Sequence, residues 1–301
     1  MAAADTPFFL ETGARGQRLC VHYPSFHDLD GAPALGQVLL LPPFAEEMNK
    51  SRRMTALAAR AFAGAGLEVL TLDLLGCGDS SGDFGDATWT DWQDDVRLAV
   101  NWLNARARPG PDGQPVPLWL WGVRAGALLA GAGIEALSAA APDRPVHLLL
   151  WQPITTGKLQ LQQFMRLRVA ADLIGGQAKG AVQAMRDQLA RGESVEIAGY
   201  ALAPALADGL EAAKLTPTAR VSRVAWLELS TREDAALTPA ATMAAQAWTA
   251  QGAAVRAAVC QGPSFWAATE IEEAPRLIEA SLAAMAARDD FATTTAEAVP
   301  A

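Results

Sequence analysis

The residues of this chain best placed to do chemistry are Gly122-Val123-Arg124-Ala125-Gly126. An apolar run with strand character, residues 116–121, leads into them, and an Ala/Leu-rich stretch with helix character, residues 127–139, follows at once. Strand, tight Gly-x-x-x-Gly turn and helix form the layout of a nucleophile elbow, in which the middle residue projects from the tip of the turn. The two glycines suit a sharp turn because a Cβ at either place would meet the neighbouring strand or helix. A hydrolytic enzyme puts Ser, Cys or Asp at the tip. Here the tip is Arg124, whose guanidinium stays protonated and cannot attack. A cation at a helix N-terminus adds charge to a place that is already electropositive, so a negative group is expected beside it.

The elements around the turn alternate. Residues 8–11 and 18–23 read as an opening hairpin. Residues 36–41 are a continuous apolar run, as in a strand covered on both faces, and end at Pro42-Pro43-Phe44. The polar cluster 45–53 opens a helix to about Ala65. Residues 67–73 form the next strand, followed by Gly76-Cys77-Gly78-Asp79-Ser80. Thr90 is the expected N-cap of a helix over 91–105. Residues 146–151 form another strand. From 155 to 221 the periodicity becomes helical with breaks at Gly175-Gly176 and Gly199-Tyr200, and no strand is expected there. Residues 224–229 and 255–260 are strands, 239–251 and 272–288 are helices, and 291–301 read as a frayed tail. Alternating strands and helices imply a mostly parallel, doubly wound sheet. The expected domains are a core of 1–154 and 222–290, a helical lid of 155–221 and the tail.

The 301 residues carry a net charge of −9 and are 51% hydrophobic and 19% charged, which permits a large core and argues against nucleic acid or an anionic membrane as partner. Three cysteines without metal spacing fit a reducing compartment. The first residues have neither a basic segment nor an apolar core, so no signal peptide is expected, and no apolar stretch is long enough to span a membrane. The expectation is a soluble cytoplasmic protein with no cofactor and no metal.

The whole chain resembles the α/β-hydrolase fold. Three strings, residues 42–52 (Pro-Pro-Phe-Ala-Glu-Glu-Met-Asn-Lys-Ser-Arg), 73–82 (Asp-Leu-Leu-Gly-Cys-Gly-Asp-Ser-Ser-Gly) and 121–126 (Trp-Gly-Val-Arg-Ala-Gly), resemble a narrower group: the second type of hydrolase associated with the exosortase A system. That resemblance implies about eight strands and a cytoplasmic companion of a bacterial exopolysaccharide and protein-sorting locus. It implies no substrate.

The fold places a Ser-His-Asp triad at the elbow, in the loop after the last strand and in the loop after the strand before it. The acid loop offers Asp234. The loop that should hold histidine reads Gly262-Pro263-Ser264-Phe265-Trp266, and His22, His27 and His147 all lie elsewhere in the sequence. Covalent hydrolysis would need Ser80, Ser264 or Cys77 to act from an unusual place, although a Cys between two glycines also simply fits a tight turn. Three alternatives follow for Arg124. Glu46 or Glu47, on the loop that borders the elbow, pairs with it as a structural tie. A bound carboxylate or phosphate pairs with it bidentately. Or one of these glutamates, with its pKa raised in a dry cleft, acts as general base with Arg124 as electrophilic stabiliser. Asp79 reads as capping its own glycine loop, and Lys50, Arg52 and Arg53 as a solvated helix face. Phe44, Asn49, Cys77, Val123, Trp151, Tyr200 and Trp266 are the candidates to line a pocket. The partners implied are a small anionic, acyl or glycan-type ligand, and a protein partner or second copy of the chain.

Overall fold

The structure is a computed structural model that describes residues 5–110, 112–174 and 180–286. The expected Gly175-Gly176 break, the last turn of the closing helix and the 291–301 tail lie outside the described residues.

An eight-stranded sheet runs in the order β1-β2-β4-β3-β5-β6-β9-β10. Its strands are β1 (Thr6–Glu11), β2 (Gln17–Tyr23), β3 (Gly36–Leu41), β4 (Leu67–Leu72), β5 (Leu118–Val123), β6 (Val146–Trp151), β9 (Val221–Ser230) and β10 (Ala254–Gln261). The hairpin β1–β2 is antiparallel, as is the β2–β4 pair; every pair from β4 to β10 is parallel. β3, β5 and β6 are buried at every position. That is why they read in the sequence as unbroken apolar runs.

Alternation along these strands feeds two cores. Leu118 and Leu120 of β5 and Leu148 and Leu150 of β6 face one layer, with helices α2 (Trp89–Asn104), α3 (Ala130–Ala140) and α7 (Pro239–Ala250) and the segment between β6 and β9. Trp119, Trp121 and Val123, with Leu149 and Trp151, face the other, with α1 (Glu46–Gly64) and α8 (Pro275–Ala286). Phe62, Trp121, Trp151 and Phe265 stack edge to face through this second layer.

The segment between β6 and β9 corrects the sequence reading. It holds helices α4 (Gly157–Ile174), α5 (Ala181–Ala190) and α6 (Pro204–Ala212), and also an antiparallel hairpin of β7 (Val195–Ile197) and β8 (Tyr200–Leu202). Its two turn residues, Ala198 and Gly199, both have positive φ, the requirement of the tight turn that matches strand twist. Three-residue strands carry too little alternation to show in a sequence. A second correction concerns α2, whose N-cap is Thr88 and not Thr90. The Thr88 hydroxyl accepts from Asp91 N–H, and the Asp91 carboxylate accepts from the Thr88 N–H, a reciprocal capping box. The closing helix α8 starts at Pro275, three residues later than expected, because proline suits the first helical position.

Candidate functional site

The elbow is built as the spacing implied. A Cβ on Gly126 would overlap the carbonyl of Leu41 in β3, and one on Gly122 would lie 2.7 Å from Ala127 Cα. With neither present, β5 turns directly through Arg124 into a 3-10 segment, Arg124–Leu129, and on into α3. Arg124 has φ of 53°, a left-handed conformation disfavoured for a residue with a Cβ. It has company. Ala45, after β3, has φ of 53°, and Gln152, after β6, has φ of 42°. These positions follow the ends of three neighbouring strands, so backbone strain of roughly 1–3 kcal/mol each is concentrated at one edge of the sheet. Gln152 is held there by its N–H on the Leu227 carbonyl and by its side-chain oxygen on the Leu229 N–H, each at 2.7 Å.

The Arg124 side chain is mostly covered. Its Nε and Nη2 both donate to the same oxygen of Glu47, Oε1, at 3.3 and 3.1 Å. Nη2 also donates to Gln163 Oε1 at 3.0 Å, and Nη1 reaches the Gln152 carbonyl at 3.4 Å. Trp266 lies under the guanidinium, its ring centre 5.1 Å from Cζ, within the range of cation–π attraction. The loop after β10 therefore lays an aromatic face against Arg124. Glu47 comes from the first turn of α1, where a carboxylate also meets the positive end of the helix dipole. Its second oxygen, Oε2, is buried and has no hydrogen-bond partner among the described residues. Burial drives the Glu47 carboxyl above its ordinary range, against the opposing pull of Arg124.

The sequence left Glu46 and Glu47 as alternatives, and the structure separates them. Glu46 lies on the neighbouring side of α1, where Lys50 stands 4.0 Å away and Tyr200 donates to it at 3.4 Å. Asn49 is exposed and donates to the Tyr200 hydroxyl at 2.8 Å. Tyr200 thus ties the β7–β8 hairpin to α1, and burial together with Glu46 pushes its phenol up to about 12. Gln163 was not anticipated. It sits on α4 with no motif around it, and only its hydrogen bond to Arg124 marks it.

Other expected residues do not join this cluster. Asp234 is 84% exposed and pairs with Arg232 at 3.4 Å. Ser264 faces solvent. Trp151 and Val123 are corrections: both are fully buried in the layer against α1 and α8, and the Trp151 indole donates to Ser281 Oγ at 2.8 Å. They are core, on the face of the sheet away from the lid. Phe44 is buried too. It packs edge to face with Phe84, Trp92 and Phe164 of α4, and so fastens α4 to the core. Cys77 is buried, and desolvation aided by Asp73 and Asp95 pushes its thiol up to about 12, so it stays protonated and poorly nucleophilic near neutral pH. The Ser80 hydroxyl is engaged twice, donating to the Asp73 carbonyl at 2.6 Å and accepting from Leu19 N–H at 2.9 Å. Arg52, read as part of a solvated face, pairs with Asp73 at 2.9 Å.

The three histidines all lie elsewhere in the fold. His22 bonds Glu68 at 2.8 Å. His27 lies in the segment between β2 and β3. His147 is buried in β6, where desolvation and Arg223 lower it to about 4 and keep it neutral. Among the described residues no helix is long and apolar enough to cross a membrane, and no group of three or more His, Cys, Asp or Glu is placed to hold a metal.

No protein-family model and no curated protein matches the sequence. Solved structures do match in fold. The thermophilic carboxylesterase EstE1, cloned from a metagenomic library, aligns with a TM-score of 0.55 at 14% identity over 94% of this chain and 88% of its own. Est1E from Butyrivibrio proteoclasticus, with ferulic acid bound, gives 0.54 at 14% identity over 89% and 94%. Alpha/beta hydrolase domain-containing protein 10 from mouse gives 0.52 at 14% identity over 93% and 95%. The chain has the α/β-hydrolase fold.

Proposed function

We propose that the elbow of this chain is a receptor for a small anionic ligand, a carboxylate or phosphate held without covalent attachment. The supporting observation is the outward edge of Arg124, whose partners are two neutral oxygens: the Gln163 amide oxygen, delivered by the lid, and the Gln152 carbonyl at a long 3.4 Å. An anionic oxygen makes a shorter and stronger bond to a guanidinium than an amide oxygen does. A ligand anion therefore takes the place of Gln163, and the strained backbone of Ala45, Arg124 and Gln152 holds the receptor ready. The resemblance of residues 42–52 and 121–126 to the exosortase A-associated group supports a setting in bacterial exopolysaccharide production and a cytoplasmic location, with an acyl or glycan intermediate as ligand.

A second reading keeps the protein an enzyme. The raised Glu47 carboxyl is suited to take a proton from water while Arg124 stabilises developing negative charge, which would give hydrolysis without a serine. Two experiments separate the readings. Calorimetric titration with acetate, butyrate and inorganic phosphate should show binding that Arg124→Ala removes without unfolding the protein. Unchanged affinity in that variant sinks the receptor. Incubation with a fluorophosphonate probe and short p-nitrophenyl esters should give neither labelling nor turnover. Turnover lost in Glu47→Gln would install the enzyme reading, and labelling lost on a single Ser or Cys change would restore a covalent one.

A further inference from the structure

The Arg124–Glu47 pair is out of register. Two donors of the guanidinium fork converge on one carboxylate oxygen, whereas a matched fork gives each oxygen its own donor. Oε2 is thereby left buried, with no hydrogen-bond partner among the described residues. A buried acceptor left in that condition costs about 1–3 kcal/mol, more when charged. The site thus presents two features side by side: a cationic edge closed by a displaceable amide oxygen, and a strong acceptor lacking a donor. A simple carboxylate satisfies the first and leaves the second as it was.

From this arrangement we infer that the ligand carries a hydroxyl close along its skeleton to the carboxylate. It is a hydroxy-carboxylate, whose acid group lies on the outer edge of Arg124 while its hydroxyl donates to Glu47 Oε2. This rests on the receptor reading above and narrows its ligand class. An ammonium in place of the hydroxyl is disfavoured because Arg124 already compensates Glu47, and a second cation would have to shed its water in a mostly covered site. The same geometry assigns Glu47 a second effect: it occupies the inner edge of Arg124 and so weakens the hold on any anion that brings no donor of its own.

The test is a skeleton-matched series, propionate, lactate in both hands and alanine, titrated into the full chain and followed by ligand-observed NMR. Lactate should bind about tenfold tighter than propionate, the worth of one hydrogen bond to a charged acceptor. In Glu47→Met, propionate should bind severalfold tighter than to wild type and the lactate advantage should vanish. Glu47→Gln, which keeps an oxygen and the shape of the side chain, should show an intermediate advantage and serves if the Met variant fails to fold. Equal binding of propionate and lactate to wild type overturns the hydroxyl assignment and leaves the receptor standing. Alanine binding tighter than lactate overturns it in favour of an amino acid. If none of the series binds, the receptor reading falls and the inference with it.

Discussion

Two arginine–carboxylate pairs in this molecule look alike in a list of contacts and are built to opposite ends. Arg18 and Asp95 join β2 to α2 with side chains only 2% and 4% exposed. Each Asp95 oxygen has its own donor: Arg18 Nε at 2.7 Å on one, the Leu75 N–H at 2.7 Å on the other. Arg18 spends its remaining reach on the backbone carbonyls of Arg15 and Gln17. Arg124 and Glu47 are more open, at 11% and 21%, and their bonds are longer and share one oxygen. The first pair is a closed network that fastens the glycine loop to the sheet. The second is unfinished: Glu47 Oε2 is buried without a donor among the described residues, beside a strained elbow.

The contrast can be broken outright by stability measurements. Arg18→Met strands a buried carboxylate and should cost about 3–5 kcal/mol in urea unfolding, whereas Arg124→Met should cost no more than about 1.5 kcal/mol. Equal losses would mean that both pairs are structural ties. Strain at the elbow is the next effect in size. Arg124→Gly should be more stable than Arg124→Ala by about 1 kcal/mol, since glycine occupies positive φ without the Cβ penalty. Alanine equal to glycine would show that the turn relaxes.

A pH series reads the Glu47 carboxyl directly. Glu47 lies above its ordinary range in the fold because of burial. Its contribution to stability is therefore present below the unfolded pKa, about 4.3, and is lost as pH rises through the raised folded value. Glu47→Gln does not titrate, so its stability relative to wild type should increase as pH rises from about 4.3 through the raised folded value. A decrease would place the carboxyl below its ordinary range and make the pair a net stabiliser. The smallest change belongs to the lid. Gln163→Ala should lower stability by about 1 kcal/mol or less and leave the melting profile cooperative, because Phe164 and Tyr200 still bind the lid to Phe44 and Phe84.

What the sequence made legible follows from how each feature is encoded. β3 and β6 were bounded to the residue, because a strand buried on both faces is a contiguous apolar run with polar or proline ends. The elbow was legible because two glycines with steric reasons flank one residue. β5 itself starts two residues later than its apolar run suggested, at Leu118; Pro117 before it has no N–H to give to the ladder. Gln163 and the β7–β8 hairpin were not legible: a glutamine on an amphipathic helix resembles any surface residue until the fold brings it to Arg124. Trp151 shows the opposite failure. An aromatic at a strand end can face either layer, and the face is fixed by a one-residue alternation that local sequence does not announce.

The three sulfhydryls give the molecule a use that its site does not. Cys20 sits on β2, one strand in from one margin of the sheet; Cys260 sits on β10 at the other margin; Cys77 sits in the glycine loop between β4 and α2. All are free and buried, and desolvation above all lifts them to about 12, about 11 and about 12 respectively. A thiol-specific dye at neutral pH reaches each only when its neighbourhood opens. The order in which they take the label is thus a record, read by mass spectrometry from the unaltered chain, of which margin comes apart first.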